Sequence, residues 1–431
     1  MAFNIGIFVL FLLALYVSKM LSSGSLREAM AKRFESPPVL TARWNVPGTV
    51  KFYIGLLRAA GTGKVHVFMK SIFSTASEGC GYEVKTVLLG RPWGYRILTC
   101  DTENIHAVLT TKFQDFSTGS RKQALEPGLG RHSIVRRQSP SDFVVNTNPC
   151  QFGSDGEAWK KSRHYIRSAL SRERISDTSV VHRNTASLIS VLATTPGPID
   201  VQPLFLEHAM RTSTEFLGIG SSESNEAWDD RGFSQAVEVA NLGITKRVSL
   251  DSFYWLYDTT AFRRACKLAH NVVMTSVRKV LASEEDMGEH GRSQFPQKEK
   301  RNLLEELVTE TRDEERLLSM ALDVLSASRQ TTTSLLSSLV YYLAQHPTTY
   351  SKLRSEIVQT FGAVETDTLM TFEQLKRCQY LQWCINETLR LVPPAPFGAM
   401  TAAVDTILPT GGGAGGKSPI FVKKVSSPSL E

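Results

Sequence analysis

The sequence has few cysteines and no close pairing among them. Its six cysteines include no C-x-x-C pair and no regular spacing. Disulfide frameworks and structural zinc sites depend on such spacing, so this pattern argues against both. A block of like charge is also lacking, because 49 basic and 42 acidic residues are scattered along the 431 positions. That distribution argues against nucleic acid as a partner and fits an anionic membrane or an acidic protein partner.

Charge is absent from residues 1–18, where apolar side chains dominate. This length is near the lower limit for crossing a bilayer, about 17 residues, so the run predicts a single membrane anchor. A cleaved signal peptide is the alternative, although no Lys or Arg precedes the run. Because Lys19 and Arg27 follow it, the positive-inside rule places the rest of the chain in the cytosol. The polar residues 19–50 predict a linker, and residues 51–431 a globular domain.

The spacing of apolar residues predicts a mainly α-helical domain with a minor β-sheet. Between residues 82 and 99, apolar and polar side chains alternate on both sides of a Gly-Arg-Pro break, which predicts a small hairpin. Helical periodicity dominates later, and it predicts long amphipathic helices at Trp159–Leu170, Phe262–Val280 and Leu317–Ala344. The charged stretch Ser283–Arg301 has no such period and predicts a loop.

The motif that carries most information is Glu387-Thr-Leu-Arg390, which is followed by a Pro-Pro-Ala-Pro run. Residues three apart share a helix face, so Glu387 and Arg390 can form an ion pair, and the prolines end the helix just beyond. Taken alone, this spacing is also typical of a solvated surface pair. The surrounding segment Thr371–Pro394 decides between the two interpretations, because it closely resembles a helix of the cytochrome P450 family.

The resemblance to cytochromes P450 continues over nearly the whole chain after the predicted anchor. It implies the cytochrome P450 fold, a haem cofactor and monooxygenase activity supported by an NADPH-dependent cytochrome reductase. It also implies that Glu387 and Arg390 form a buried pair beneath the haem and support the loop that holds the iron. Together with the anchor, it implies a protein of the endoplasmic reticulum membrane with its domain in the cytosol.

The segment Ala321–Leu343 resembles the long distal helix of this family. Thr331 matches the threonine that the family uses to hydrogen-bond iron-bound oxygen, which makes it a candidate catalytic residue. Gln330 stands where the family has an acid, and an amide cannot relay a titrating proton. Ser328 replaces a glycine, and we expect its side chain to crowd the oxygen groove.

Trp159 and Arg163 resemble the W-x-x-x-R pair with which the family contacts a haem propionate. They lie four apart, so one helix face can present both to an anionic group. A surface arginine stacked on a tryptophan is the alternative. By the resemblance, Trp159 and Arg163 are candidate cofactor-binding residues.

Four shorter segments narrow the resemblance to one branch of the family, the fungal n-alkane and fatty-acid hydroxylases. That branch implies long-chain aliphatic substrates, either alkanes or fatty acids. The segments are Val108–Phe116, Phe253–Leu256, Phe262–Cys266 and Asp405–Gly413.

The family places its axial cysteine well after the E-x-x-R helix, and we expect no such metal ligand in this chain. Its last cysteine, Cys384, lies within that helix itself. The sequence therefore predicts a fold that is incomplete at its C-terminus, with impaired activity; a haemless, inactive, membrane-anchored protein is the alternative. Residues 135–151 have no counterpart in the family and no period, so we interpret them as an insertion.

Overall fold

The computed structural model describes the chain in eleven segments. The segments are residues 54–55, 58–59, 64–91, 94–119, 121–130, 164–166, 178–220, 230–286, 301–362, 370–413 and 415–424. The predicted anchor, linker and insertion, with Trp159 and Arg163, lie outside them. The chain divides into two compact units, one of residues 1–119 and 399–431 and the other of residues 120–398. The bounds predicted for the anchor, the linker and the domain of residues 51–431 remain predictions.

The first unit contains the β-structure, as three two-stranded antiparallel sheets within its described residues. The sheet predicted between residues 82 and 99 is confirmed, and it pairs Thr86 with Thr99. A second sheet pairs Phe116 with Ala402, and the third pairs Thr406 with Val422 and has an irregularity after Leu408. The elements are α1 Val65–Cys80, β1 Thr86–Arg91, β2 Gly94–Thr99, α2 Thr102–His106, β3 Phe116–Ser117, β4 Thr401–Ala402, β5 Thr406–Gly412 and β6 Ser418–Val422.

Asn104 joins three elements of the first unit through its fully buried amide. Its Nδ2 donates to Thr86 Oγ1 at 3.1 Å, to Thr99 Oγ1 at 3.2 Å and to the Thr410 carbonyl at 3.0 Å. Its Oδ1 accepts from the Thr410 backbone N–H at 3.1 Å. The amide therefore bonds α2 to the first hairpin and to β5, and these bonds satisfy both ends of a group that water cannot reach.

We predict that Asn104→Ala destabilises the first unit by about 2 to 4 kcal/mol, because it takes the Asn104 partner from both the N–H and the carbonyl of Thr410 and removes the bonds to Thr86 and Thr99. Chemical denaturation followed by circular dichroism measures this loss. Asn271→Ala is the matched control, because the Asn271 side chain is exposed on the surface of a helix. A control as destabilised as Asn104→Ala would contradict the role given to the buried amide.

The regular structure in the described residues of the second unit is all helical, so the mainly α fold with a minor sheet is confirmed. The helices predicted at Phe262–Val280 and Leu317–Ala344 are present, whereas the predicted loop at Ser283 begins too early because that helix continues to Asp286. Residues 164–166 of the helix predicted from Trp159 are helical. The elements are α3 Arg121–Leu129, α4 Ser179–Thr194, α5 Val201–Leu217, α6 Asp230–Leu250, α7 Thr260–Asp286, α8 Leu303–Glu310, α9 Glu314–Gln345, α10 Pro347–Phe361, α11 Phe372–Arg377 and α12 Gln379–Leu391.

Local sequence explains where several of these helices begin. Asp200 and Asp313 accept backbone N–H groups at the starts of α5 and α9. Asn302 and Thr371 form capping boxes with Glu305 and Gln374 at the starts of α8 and α11. Because each cap satisfies donors that the helix itself leaves open, these starts are fixed by short-range interactions.

One apolar cluster holds the second unit together around the first half of α9. Its buried side chains come from α3, α5, α6, α7, α8 and α9, so six helices share a single core. The cluster includes Leu217, Phe262, Val273, Leu304, Leu307, Leu317 and Leu325, each fully buried. Apolar burial on this scale contributes about 25 cal/mol per Å² and fixes α9 relative to its neighbours.

Helix α3 docks on this core through bonds to its own backbone carbonyls. Pro127 has no N–H, so the Gln123 carbonyl lacks its helical donor, and Arg247 Nη2 lies 3.4 Å from it. Arg247 also donates from Nε to the Ala124 carbonyl at 3.0 Å. His270 Nε2 lies 3.1 Å from the Gly128 carbonyl, and burial lowers the pKa of this imidazole. Side chains of α6 and α7 thus bond to backbone carbonyls of α3, and one of these, the Gln123 carbonyl, has no helical donor.

The lowered pKa of His270 gives the second unit a defined pH dependence. Above the ordinary value of 6.5, the imidazole is neutral in both the folded and unfolded states, so its contribution does not change. Below that value the unfolded chain binds a proton that the folded chain resists, and stability is lost as the pH falls toward the folded pKa. We predict that His270→Gln, which keeps an N–H donor but cannot titrate, flattens this loss.

Thermal unfolding of both proteins between pH 7.5 and 5 tests the His270 prediction. The difference between wild type and His270→Gln should grow in favour of the variant as the pH is lowered below about 6.5. A constant difference over the whole range would contradict it.

Candidate functional site

The burial of side chains along α9 changes about halfway along the helix. From Leu317 to Leu325 nearly every side chain is buried, whereas Gln330 and Thr331 are exposed. Gln330 and Thr331 therefore lie on one open turn of a helix that is otherwise anchored in the core. This is where the structure places the two candidate catalytic residues.

The Thr331 hydroxyl bonds to its own helix in this structure. It donates to the Ala327 carbonyl at 2.6 Å, four residues earlier. Such back-bonding satisfies the hydroxyl and tends to bend a helix. Because the side chain is exposed, the bond can exchange for one to another acceptor or to a ligand. Its chemistry is that of a neutral hydroxyl, which can both donate and accept a hydrogen bond.

Ser328 does not lie where the sequence suggested. We expected its side chain to crowd the groove beside Thr331, but its Oγ is 2.7 Å from Ser213 Oγ on α5. Ser328 also lies 3.3 Å from the Leu325 carbonyl. The hydroxyl is turned toward α5 because a hydroxyl partner is available there. Ser213 was missed in the sequence, since no local pattern connects it to a residue more than a hundred positions away.

We predict that Ser213→Ala and Ser328→Ala each lower stability by about 1 kcal/mol, because either change leaves the other hydroxyl with a poorer partner. The double variant should lose less than the sum of the two single variants, since removing both hydroxyls leaves neither unpaired. Denaturant melts of the four proteins give the coupling energy. Strictly additive losses would show that the contact contributes nothing.

Glu387 and Arg390 form the expected ion pair on α12. The guanidinium donates to both carboxylate oxygens, from Nε at 2.7 Å and from Nη2 at 2.6 Å. This geometry lowers the pKa of the Glu387 carboxyl and raises that of the Arg390 guanidinium, in each case chiefly through the hydrogen bond between them. The pairing follows from the spacing of three residues along one helix face.

The expected burial of this pair is not present. The Arg390 and Glu387 side chains are 66% and 55% exposed. The physical reason is that Thr388 is the buried side chain of α12, and Glu387 and Arg390 lie on a different side of the helix and point outward. None of the described residues covers that outward face.

The cysteines of the described segments do not have the environment of a metal ligand. Burial raises the pKa of the Cys266 thiol to about 11, and burial also raises the pKa values of the Cys378 and Cys384 thiols. A thiolate ligand needs the opposite shift. Cys80 and Cys100 are exposed in the first unit. Within the described ranges, no group of three or more His, Cys, Asp or Glu side chains is arranged to hold a metal ion.

Comparisons with known proteins agree with this helical arrangement. The family model of cytochrome P450 matches residues 98–407, which is more than half of the chain. The chain belongs to the cytochrome P450 family. The resemblance identified in the sequence is thereby confirmed, and with it monooxygenase as the enzyme class and haem as the family's cofactor.

Individual relatives are fungal cytochromes P450. Cytochrome P450 monooxygenase g430 of a Fusarium species is 31% identical over 93% of this chain and 68% of its own. Cytochrome P450 52A9 of Candida maltosa is 34% identical over 76% of this chain and 61% of its own. Cytochrome P450 52A3-B of the same yeast is 32% identical over 91% of this chain and 72% of its own. The chain thus spans between 61 and 72% of the length of these relatives.

The described side chains can be compared with the groups that a haem site needs. Helix α9 offers Gln330 and Thr331 on an open turn, as a distal helix requires. No cysteine in the described part of the chain offers a stabilised thiolate for the other side of an iron. The described residues therefore fit one face of a haem site and do not supply its axial ligand. Trp159 and Arg163, the candidate propionate contacts, remain predictions.

The described segments contain no helix that is both long and apolar enough to cross a membrane.

Proposed function

We propose that this chain belongs to a monooxygenase that hydroxylates long-chain aliphatic substrates, alkanes or fatty acids. The observation that carries the proposal is the open turn of α9, where Gln330 and Thr331 are exposed on a helix whose preceding turns are buried. The substrate class is supported by the four short segments that resemble the fungal hydroxylase branch. In this proposal Thr331 holds a proton-donating hydroxyl toward the reacting oxygen, and Gln330 contributes a hydrogen bond without titrating.

The cofactor contacts in this proposal come from three places. Trp159 and Arg163 would hold a haem propionate, Arg163 through a charge-assisted hydrogen bond and Trp159 through its indole N–H. Glu387 and Arg390 support the segment that carries the axial ligand. When bound, the haem supplies oxygen activation, and the protein supplies orientation and electrostatics.

The proposed setting is the endoplasmic reticulum membrane, with residues 1–18 as anchor, residues 19–50 as linker and the domain in the cytosol. The uncharged run followed by basic residues supports it. An NADPH-dependent cytochrome reductase is the proposed electron donor. The net charge of +7 would favour an acidic partner surface, because long-range attraction raises the rate of encounter.

A haemless, inactive protein is the second candidate. The environments of the described cysteines favour this candidate for the unaltered chain. Cys266 and Cys378 are buried among protein side chains, so neither presents its sulfur to a cofactor. The two candidates differ in one property, which is whether a thiolate-bound haem forms.

A reduced, CO-bound absorption spectrum separates these candidates. We predict that the 431-residue chain mixed with haem shows no thiolate-type band. A chimera that continues after α12 with the corresponding part of cytochrome P450 52A9 should show the band. With reductase and NADPH, it should hydroxylate a long-chain alkane or fatty acid. A thiolate band from the unaltered chain would overturn the argument from its cysteines, and a chimera with the band but no such product would overturn the substrate class.

The chimera also tests Thr331. Thr331→Ala should lower product formation by at least about tenfold while the band is kept, because a positioned proton donor is removed. Thr332→Ala is the matched control, since Thr332 is the next residue, is equally exposed and has no role in the proposal. Equal losses in the two variants would contradict the role of Thr331.

A further inference from the structure

Arg329 places a charge in the interior of the second unit, directly beside the open turn of α9. Its side chain is 2% exposed. It precedes Gln330 and Thr331 in the chain, yet it points into the protein where they point out. Burial lowers the pKa of this guanidinium, and Glu238 opposes that shift. A buried cation is costly unless it is paired, so its partners define what it does.

The partners of Arg329 both come from α6. Its Nη2 donates to Ser234 Oγ at 3.3 Å and lies 3.5 Å from Glu238 Oε2. Ser234 and Glu238 are one helical turn apart, so they share a face of α6. Among the described residues, Nε and Nη1 of Arg329 have no acceptor. The polar contact that Arg329 makes with α6 therefore depends on one nitrogen and on a carboxylate that is itself 47% exposed.

The turn of α9 next to Arg329 depends on contacts with neighbouring helices more than a regular helical turn does. Thr331 and Thr333 both donate hydroxyl protons to carbonyls four residues earlier, and Ser328 contacts the Leu325 carbonyl. Hydroxyls bonded in this way compete with the backbone ladder and favour a bend. Contacts from α5 reach the same turn, through Ser213 to Ser328 and through the Phe205 carbonyl to Thr333. The direction of the turn is thus set by what holds it from the side.

We propose that Arg329 is a positioning residue. Its charge, balanced by Glu238, holds residues 327–333 of α9 against α6 and thereby fixes the direction in which Gln330 and Thr331 face. The half-exposed Glu238 is the adjustable partner, because it can leave the contact for water, whereas Arg329 cannot. The part of this inference that concerns catalysis rests on the proposed function, but the mechanical part does not.

The test measures hydrogen exchange in the full 431-residue chain without cofactor. Glu238→Gln keeps the size of the side chain but removes the charge that balances Arg329. Amides 327–333 should then exchange about tenfold faster or more, since the contact that restrains them is weakened. Glu238→Asp, which restores the carboxylate on a shorter arm, should recover part of the protection.

Two controls separate positioning from general loss of stability. Glu314→Gln removes the carboxylate of a comparable pair, Arg278 and Glu314, at the exposed start of α9, and it should leave amides 327–333 unchanged. Val273→Ala removes buried apolar contacts of α7 and should speed exchange in the whole core, without singling out that turn.

The inference is overturned if Glu238→Gln leaves amides 327–333 unchanged, or if it speeds exchange evenly along α9 as Val273→Ala does. Failure of the proposed function gives a different result, because an inactive chimera leaves these exchange rates unaffected. In an active chimera, Glu238→Gln should lower kcat with little change in KM, whereas Glu314→Gln should lower neither.

Discussion

The burial of one half of α9 is the constraint on which the rest of the second unit depends. Leu317 to Leu325 pack against α5, α7 and α8 in a single apolar cluster, so the first half of the helix cannot shift without opening that core. Among the residues of the second half, only Thr333 is buried, and the others are partly or fully exposed. A buried half thus carries a more exposed half, and the boundary between them lies at the turn that carries Gln330 and Thr331.

Local signals in the sequence predicted several of the elements, because those elements are determined by short-range interactions. Alternation of apolar and polar side chains predicted the hairpin around Thr86 and Thr99, and apolar periodicity predicted α7 and α9. The Glu387 and Arg390 pair could be predicted because residues three apart on a helix must be neighbours. The end of α7 at Asp286 was misjudged, because charged residues permit a helix as readily as a loop.

Contacts between distant segments could not be predicted in this way. In the sequence, Asn104 is an ordinary polar residue of a short helix. The neighbouring residues do not indicate that its amide bonds to Thr410, 306 positions later. Ser328 was expected to face a groove, and only the position of α5 explains why it faces Ser213 instead. The exposure of Glu387 is likewise decided by which face of α12 meets α9. In each case the side chain's partner is set by helix packing, which a single sequence does not encode locally.

Two buried arginines, Arg247 and Arg329, have their charges stabilised in different ways. Arg247 satisfies its guanidinium with the carbonyls of Gln123, Ala124 and Tyr257, so its charge is spread over dipoles and the contact is rigid. Arg329 instead relies on a carboxylate that water can reach, and it leaves two nitrogens without acceptors among the described residues. Carbonyl dipoles fixed in a backbone cannot move away, whereas an exposed carboxylate on a flexible side chain can. The rigid arrangement therefore docks α3, which only has to stay in place, and the adjustable one lies beside the turn where a change of direction would alter the chemistry.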